Sequence, residues 1–211
     1  MAPKVYYPAF LSLRGKSSVV IGGGKVAERK VLGLIKAGSE VVIISPYLTK
    51  RLEREKKGGR VKHICRQYRK GDLKNAFLVI AATDTFSINK QISEDSPCLV
   101  NVVDTPELCN FIVPSVMNLG PLNIAVSTSG ISPALSGSIR KELEELFKPE
   151  FHKYLKLLKK IRAKAMKEIR DNRQRSEFLK AVASEKTVKI LRKKGYREAK
   201  KVVEELFKKE T

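Results

Sequence analysis

The sequence predicts an α/β fold: a doubly wound parallel sheet, a small α+β segment after it, and a C-terminal helical domain. Three observations carry the prediction. Up to residue 113, short apolar runs alternate with stretches of helical period. Those runs are nearly continuous rather than alternating, as in strands buried between two layers of helix. Beyond Pro149 only the helical period remains.

The elements follow in order. SSVVIGGG (17–24) reads as a buried strand running into a glycine turn. VAERKVLGLIKAG (26–38) reads as a helix, with Val31, Leu34 and Ile35 on one face and Gly38 as its stop. EVVIISP (40–46) is a second strand closed by Pro46, and a charged helix over about 47–57 stops at Gly58-Gly59. RVKHIC (60–65) is a third, shorter strand, and AFLVIAATD (76–84) a fourth, the most apolar. Residues 86–95 carry a helical pattern, and PCLVNVVD (97–104) is the fifth strand. Right-handed crossovers between parallel strands wind such a sheet in both directions from its first strand.

The texture changes after Asn110. FIVPSVMNLGPLNIAVSTSG (111–130) holds two short apolar runs split at Asn118-Leu119-Gly120-Pro121, a pair of strands joined by a tight turn. In ISPALSGSIRKELEELF (131–147), Ser132 is placed to cap a helix and Pro133 to occupy its first position. Pro149 breaks the chain, and further breaks are expected near Asp171-Asn172 and at Gly195. The expected divisions are 1–113, 114–148 and 149–211.

Composition narrows the function. The 211 residues carry 43 Lys and Arg against 22 Asp and Glu, a net charge of +21. With 42% apolar residues there is enough to bury a core, which excludes a disordered chain. No window approaches the ~20 apolar residues of a membrane span, and MAPKVYYPAF lacks the apolar stretch of a secretory leader. The three cysteines (Cys65, Cys98, Cys109) are odd in number and never spaced CxxC, and the two histidines lie far apart, so no disulfide framework or metal site is expected. The reading is a soluble, cytoplasmic protein with anionic partners. Residues 139–211 hold 24 basic and 12 acidic side chains, mixed along their length. That suits a solvated helical face, a nucleic-acid surface or a field for a polycarboxylate. Trp is absent and no nucleic-acid-binding motif is present, so nothing specific favours nucleic acid.

Gly22-Gly23-Gly24-Lys25-Val26-Ala27 fits G-x-G-x-x-A between a strand and a helix, the context that gives the motif its meaning. Gly22 permits the tight turn, Gly24 lets the backbone approach a pyrophosphate, and Ala27 lets helix pack closely on strand. The free N–H groups and dipole of the helix start favour an anion there. A purely structural turn is the alternative. The domain is therefore Rossmann-like. The acidic residue expected ~20 positions on, for the ribose hydroxyls, is missing. Ser45 is placed to hydrogen-bond a ribose, with Lys50 and Arg51 nearby, so the residues leave NAD and NADP both open. Thr83, at the end of the fourth strand, offers a hydroxyl beside the crevice. Asp104 ends the fifth strand, where ligands of such sheets bind. It is either an acid–base residue or the start of a turn at Asp104-Thr105-Pro106. Ser127-Thr128-Ser129-Gly130 either receives a carboxylate at a helix start or only caps that helix.

GGGKVAERK (22–30), AATD (81–84), NVVD (101–104), FIVPS (111–115) and AVSTSGISPALS (125–136) together resemble precorrin-2 dehydrogenase, the N-terminal dehydrogenase/ferrochelatase portion of siroheme synthase. The resemblance runs through about residues 5–147 in the same order. It implies NAD-dependent oxidation of precorrin-2 to sirohydrochlorin, a step towards sirohaem. It also implies a homodimer built through the segment 114–148, and leaves insertion of Fe2+ open. By the same resemblance Asp104 is the essential aspartate. Lys25, Val26, Pro46 and Tyr47 are cofactor contacts, and Ser127 and Thr128 stand for a serine pair, the second hydroxyl now on a threonine. The competing reading is a nucleotide-sensing Rossmann module that binds nucleic acid through its basic helices.

Overall fold

The computed structural model describes residues 5–147 and 149–210. They form two compact units, one ending at Val113 and the other beginning at Pro114.

The first unit runs β1 (Ser17–Ile21), α1 (Lys25–Lys36), β2 (Glu40–Ile44), α2 (Lys50–Lys57), β3 (Val61–Ile64), β4 (Leu78–Ala81), α3 (Phe86–Asp95) and β5 (Leu99–Val102). The five strands make one parallel sheet in the order β3-β2-β1-β4-β5. The chain leaves β1 towards β2 and returns to its other side at β4, so the direction of winding switches between β1 and β4. The strands bury both faces. Val20, Ile43 and Ile80 stand abreast and pack with Ala27, Val31 and Leu34 of α1 and Leu52 of α2. Val19, Ile21 and Val79 point the other way and pack with Ile92 of α3. The free edge of β5 is covered: Asn110 exchanges bonds with Val100 through its side-chain oxygen (2.7 Å) and its backbone N–H (3.1 Å).

Several boundaries differ from the sequence reading: β3 ends at Ile64 and β4 at Ala81, so Cys65 and Thr83 lie just past their strands. The second helix begins at Lys50 rather than 47, because the Thr49 hydroxyl accepts from the Leu52 N–H at 3.2 Å and caps it there. Pro46-Tyr47-Leu48 is thereby freed as loop. Strand β5 ends at Val102, which places Asp104 just beyond it.

The second unit opens with an antiparallel hairpin, β6 (Ser115–Leu119) and β7 (Leu122–Val126). Four helices follow: α4 (Pro133–Leu146), α5 (Pro149–Glu168), α6 (Asn172–Val182) and α7 (Glu185–Lys208). Ser132 caps α4 and Asp171 caps α6. The break between α6 and α7 was not expected: Ser184 accepts from the Thr187 N–H at 3.4 Å and starts a new helix where the apolar pattern runs on. Gly195 interrupts α7 locally at φ +83°. Phe151, Tyr154, Leu157, Ile161, Phe178, Leu191, Val203 and Phe207 form the core of α5–α7. Phe178 meets Phe207 edge to face, with ring centroids 5.5 Å apart. The Tyr154 hydroxyl donates to the Val182 carbonyl, and burial pushes its pKa up to about 12, so it remains a donor.

Phe178→Ala should cost ~3–5 kcal/mol, because a fully buried ring leaves a cavity among packed helices. Met166→Ala, on a 56% exposed side chain of α5, should change stability by no more than about 0.5 kcal/mol. Urea unfolding of both variants checks the contrast. Equal losses would contradict this packing.

Candidate functional site

At the carboxyl ends of β1 and β4 three chain segments crowd together. The Gly22 N–H donates to the Ile44 carbonyl at 2.9 Å, and the Ala82 N–H to the Ile21 carbonyl at 2.8 Å. Gly22 sits at φ +117°, and a Cβ there would lie 2.2 Å from the Ala82 carbonyl oxygen. A Cβ on Gly23 would lie 1.9 Å from the Tyr47 carbonyl oxygen. Gly24 is different: a Cβ there would meet nothing within 4 Å. The protein's own packing thus demands glycine at 22 and 23, while the backbone at 24 opens on space.

Gly24 is also the cap residue of α1, and no side chain caps it. The first-turn N–H groups of α1 therefore lack a side-chain acceptor. Glu28, the acid of that turn, is drawn aside, accepting the Thr49 hydroxyl at 2.5 Å. An open backbone, uncapped amides and the positive end of a helix dipole fit a dinucleotide pyrophosphate. Lys25 is exposed and Val26 half-buried beside them.

The loop after β2 borders this turn. Ser45 is 3% exposed, and its hydroxyl accepts from the Tyr47 N–H at 3.4 Å, so it faces into the loop. Pro46 and Tyr47 are exposed. Across the crevice, the Thr83 hydroxyl donates to Asn89 Oδ1 at 2.7 Å, and Asn89 Nδ2 donates to the Thr83 carbonyl at 2.9 Å. Thr83 thus latches the turn between β4 and α3.

Asp104 has φ +57°, a left-handed conformation that few non-glycine residues adopt. The chain on either side is tied down. The Val103 N–H donates to the Ala81 carbonyl at 2.9 Å. Buried Cys109 accepts from the Val102 N–H through Sγ at 3.1 Å, and the Thr105 hydroxyl donates to the Val103 carbonyl at 3.3 Å. Ties of this kind sustain a strained residue, a feature that clusters at functional sites. The Asp104 side chain itself is exposed.

One further residue near Asp104 carries no motif of its own. Lys30 is half-buried on α1. Burial, then the charge of Arg29, hold its pKa below the ordinary lysine value, while Cys109 and Asp104 pull the other way. Its signal was present: Lys30 is three residues after Ala27 and four before Leu34, both on the buried stripe of the helix.

Ser127 and Thr128 lie in the second unit. Ser127 is exposed, and its oxygen accepts from the N–H of Ser129, itself at φ +55°. The Thr128 hydroxyl accepts from the Ser132 N–H at 2.9 Å and lies 3.0 Å from the Ser132 carbonyl and 3.2 Å from the Ser136 hydroxyl, closing the turn into α4. Among the described residues no three His, Cys, Asp or Glu gather to hold a metal ion, and no helix is long and apolar enough to cross a membrane.

A family model described as "Putative NAD(P)-binding" matches residues 9–115, and one described as sirohaem biosynthesis protein central matches 120–146. The siroheme synthase of Methylobacillus flagellatus is 42% identical over 142 residues, 66% of this chain and 30% of that protein. The siroheme synthase of Thioalkalivibrio sulfidiphilus is 38% identical over 176 residues, 82% of this chain and 36% of that protein. The chain thus spans about a third of the length of these curated relatives. Among solved structures, SirC, precorrin-2 dehydrogenase, superposes with a TM-score of 0.81 over 95% of this chain and 100% of that chain, at 24% identity, and so shares the fold.

Proposed function

Since the chain belongs to the NAD(P)-binding family whose model spans its first unit, with the sirohaem biosynthesis central segment matched directly after it, we propose that it is a precorrin-2 dehydrogenase. In this reading it oxidises precorrin-2 to sirohydrochlorin with NAD, in the cytoplasm, as a step of sirohaem biosynthesis. The observation that carries the reading is the open, uncapped backbone at Gly24, on the same sheet edge as an aspartate held in a strained conformation.

The oxidation removes a hydride and a proton from the macrocycle. NAD, when bound, supplies the hydride acceptor. The chain does the rest. The first turn of α1 receives the pyrophosphate on its N–H groups, with Lys25 and Val26 alongside, and the Pro46-Tyr47 loop borders the adenosine half. Asp104 takes the proton through its carboxylate. Lys30, half-buried on α1, lies within electrostatic reach of Asp104 and faces the same crevice as a second polar group for the substrate. Ser127 and Thr128 are proposed contacts to the substrate's carboxylates, and the net charge of +21 draws such a polyanion in.

The choice of NAD is our reading from the family resemblance, and the environment of Arg51 is compatible with it. The Glu55 carboxylate, 1% exposed, takes Arg51 Nε at 2.9 Å and Arg60 at 2.5 Å. The first arginine after β2 thus has its Nε turned to a buried carboxylate on its own helix. The homodimer is proposed from the second unit's exposed apolar side chains. Ile131 is 89% exposed, Leu135 52% and Leu146 54%, which is surface for a second copy to cover.

The test is anaerobic incubation of the protein with precorrin-2 and either NAD or NADP, followed by absorption spectra. Conversion to sirohydrochlorin with NAD, at least about tenfold slower with NADP, is the expected result. Absence of conversion with both would overturn the proposal. Adding Fe2+ to the product reads out any metal insertion separately.

A further inference from the structure

The loop that follows β2 is held by two side chains that no motif marks, one in the edge strand β3 and one just past its end. His63 Nε2 lies 2.9 Å from the Ser45 carbonyl oxygen, and the Cys65 thiol donates to the Pro46 carbonyl at 3.3 Å. His63 lies in β3 and Cys65 directly follows its last residue, Ile64, and each side chain reaches a carbonyl of the loop beside it. The tautomer of His63 follows from its other neighbour. Lys56 Nζ is 3.3 Å from Nδ1 and has only hydrogens to offer, so Nδ1 accepts and Nε2 carries the hydrogen given to Ser45.

The same loop rests on the glycine turn. The Ser45 N–H donates to the Ile64 carbonyl at 3.2 Å, and the Thr49 N–H to the Gly23 carbonyl at 3.1 Å. Between them the Tyr47 carbonyl presses on Gly23, where even a Cβ would not fit. A chain of contacts thus runs from His63 and Cys65 through Ser45, Pro46 and Tyr47 to Gly23, next to the open backbone of Gly24. Pro46 has no N–H of its own, so its carbonyl and that of Ser45 are the handles by which this segment is gripped.

We infer that His63 and Cys65 are positioning residues for the dinucleotide: they clamp the Ser45–Tyr47 loop in the shape that receives the adenosine half and keep Gly23-Gly24 in register beneath it. This rests on the cofactor reading above. Neither side chain takes part in proton or hydride transfer, so the clamp acts on cofactor affinity and not on the chemical step.

The test is calorimetric titration of NAD into the full chain, with melting temperatures and steady-state rates alongside, for wild type, His63→Phe, His63→Gln and Cys65→Ala. His63→Phe keeps a flat ring and loses the donor. It should weaken NAD binding about tenfold, the upper range for one lost hydrogen bond. It should also raise KM for NAD while leaving kcat at saturating NAD unchanged. His63→Gln restores an N–H and should lie within about twofold of wild type. Cys65→Ala should weaken binding about threefold, as expected for a weaker thiol donor, and carries the test if His63→Phe does not fold. A folded His63→Phe or Cys65→Ala protein that binds NAD as tightly as wild type would overturn the clamp alone. A fall in kcat with KM for NAD unchanged would do the same. If wild type itself binds no NAD, the cofactor reading falls and takes the clamp with it.

Discussion

A Gly24→Val protein should fold like the wild type and bind NAD well over tenfold more weakly, a loss of more than ~1.4 kcal/mol. The two halves of that expectation have separate grounds. Gly24 has φ −80° and ψ −172°, extended backbone open to any residue, and an added Cβ meets nothing within 4 Å. The fold therefore does not require glycine at this position. The space that the valine side chain enters is the space over the uncapped first turn of α1, where the pyrophosphate would lie. Gly23→Ala makes the contrast. Its Cβ would fall 1.9 Å from the Tyr47 carbonyl oxygen, so stability should suffer along with binding. Titration calorimetry and thermal melting on both variants separate the effects. A folded Gly24→Val protein with unchanged NAD affinity would move the cofactor away from this turn.

Asp104→Asn should lower turnover by ~10²–10⁴-fold, the usual worth of a positioned acid–base group. The substitution keeps size and shape, and Asn adopts the left-handed region at least as readily as Asp, so the strained turn at φ +57° survives. What disappears is the proton acceptor. NAD affinity should stay near wild type, because the proposed pyrophosphate contacts lie on α1. If Asp104 only shaped the turn, Asn would serve equally well and the rate would hold. Rate, NAD affinity and melting temperature measured on one preparation decide between the two.

Much of the sheet was legible because its strands are buried on both faces. Val19-Val20-Ile21, Val41–Ile44 and Leu78–Ala81 are apolar without interruption, as strands covered by helices on both sides must be. The role of Gly24 was legible from spacing and context. That of Gly23 was not, because it depends on a carbonyl brought in from Tyr47, which is distant in sequence. The start of α2 is set by the Thr49 cap, a short signal that stands between Pro46 and the charged run of the helix. The break at Ala183-Ser184 escaped for a similar reason, since Ser184 interrupts a continuous helical period with nothing but a cap. Ser45 reads as a ribose contact from its place after β2, and only the fold shows its hydroxyl facing inward. Lys30 lay in plain view at the end of GGGKVAERK. A lysine on the buried stripe of a helix is the pattern that marks it, and its proximity to Asp104 needs the tertiary structure.

The central claim is that one sheet edge holds both the hydride acceptor and the group that takes the proton. The most direct measurement is the yield of NADH against sirohydrochlorin, followed in one anaerobic cuvette, for wild type and Asp104→Asn. The account predicts one NADH formed for each sirohydrochlorin in wild type, and both products suppressed together by ~10²–10⁴-fold in the variant. Sirohydrochlorin appearing without NADH, or a folded Asp104→Asn protein making both at the wild-type rate, would contradict it.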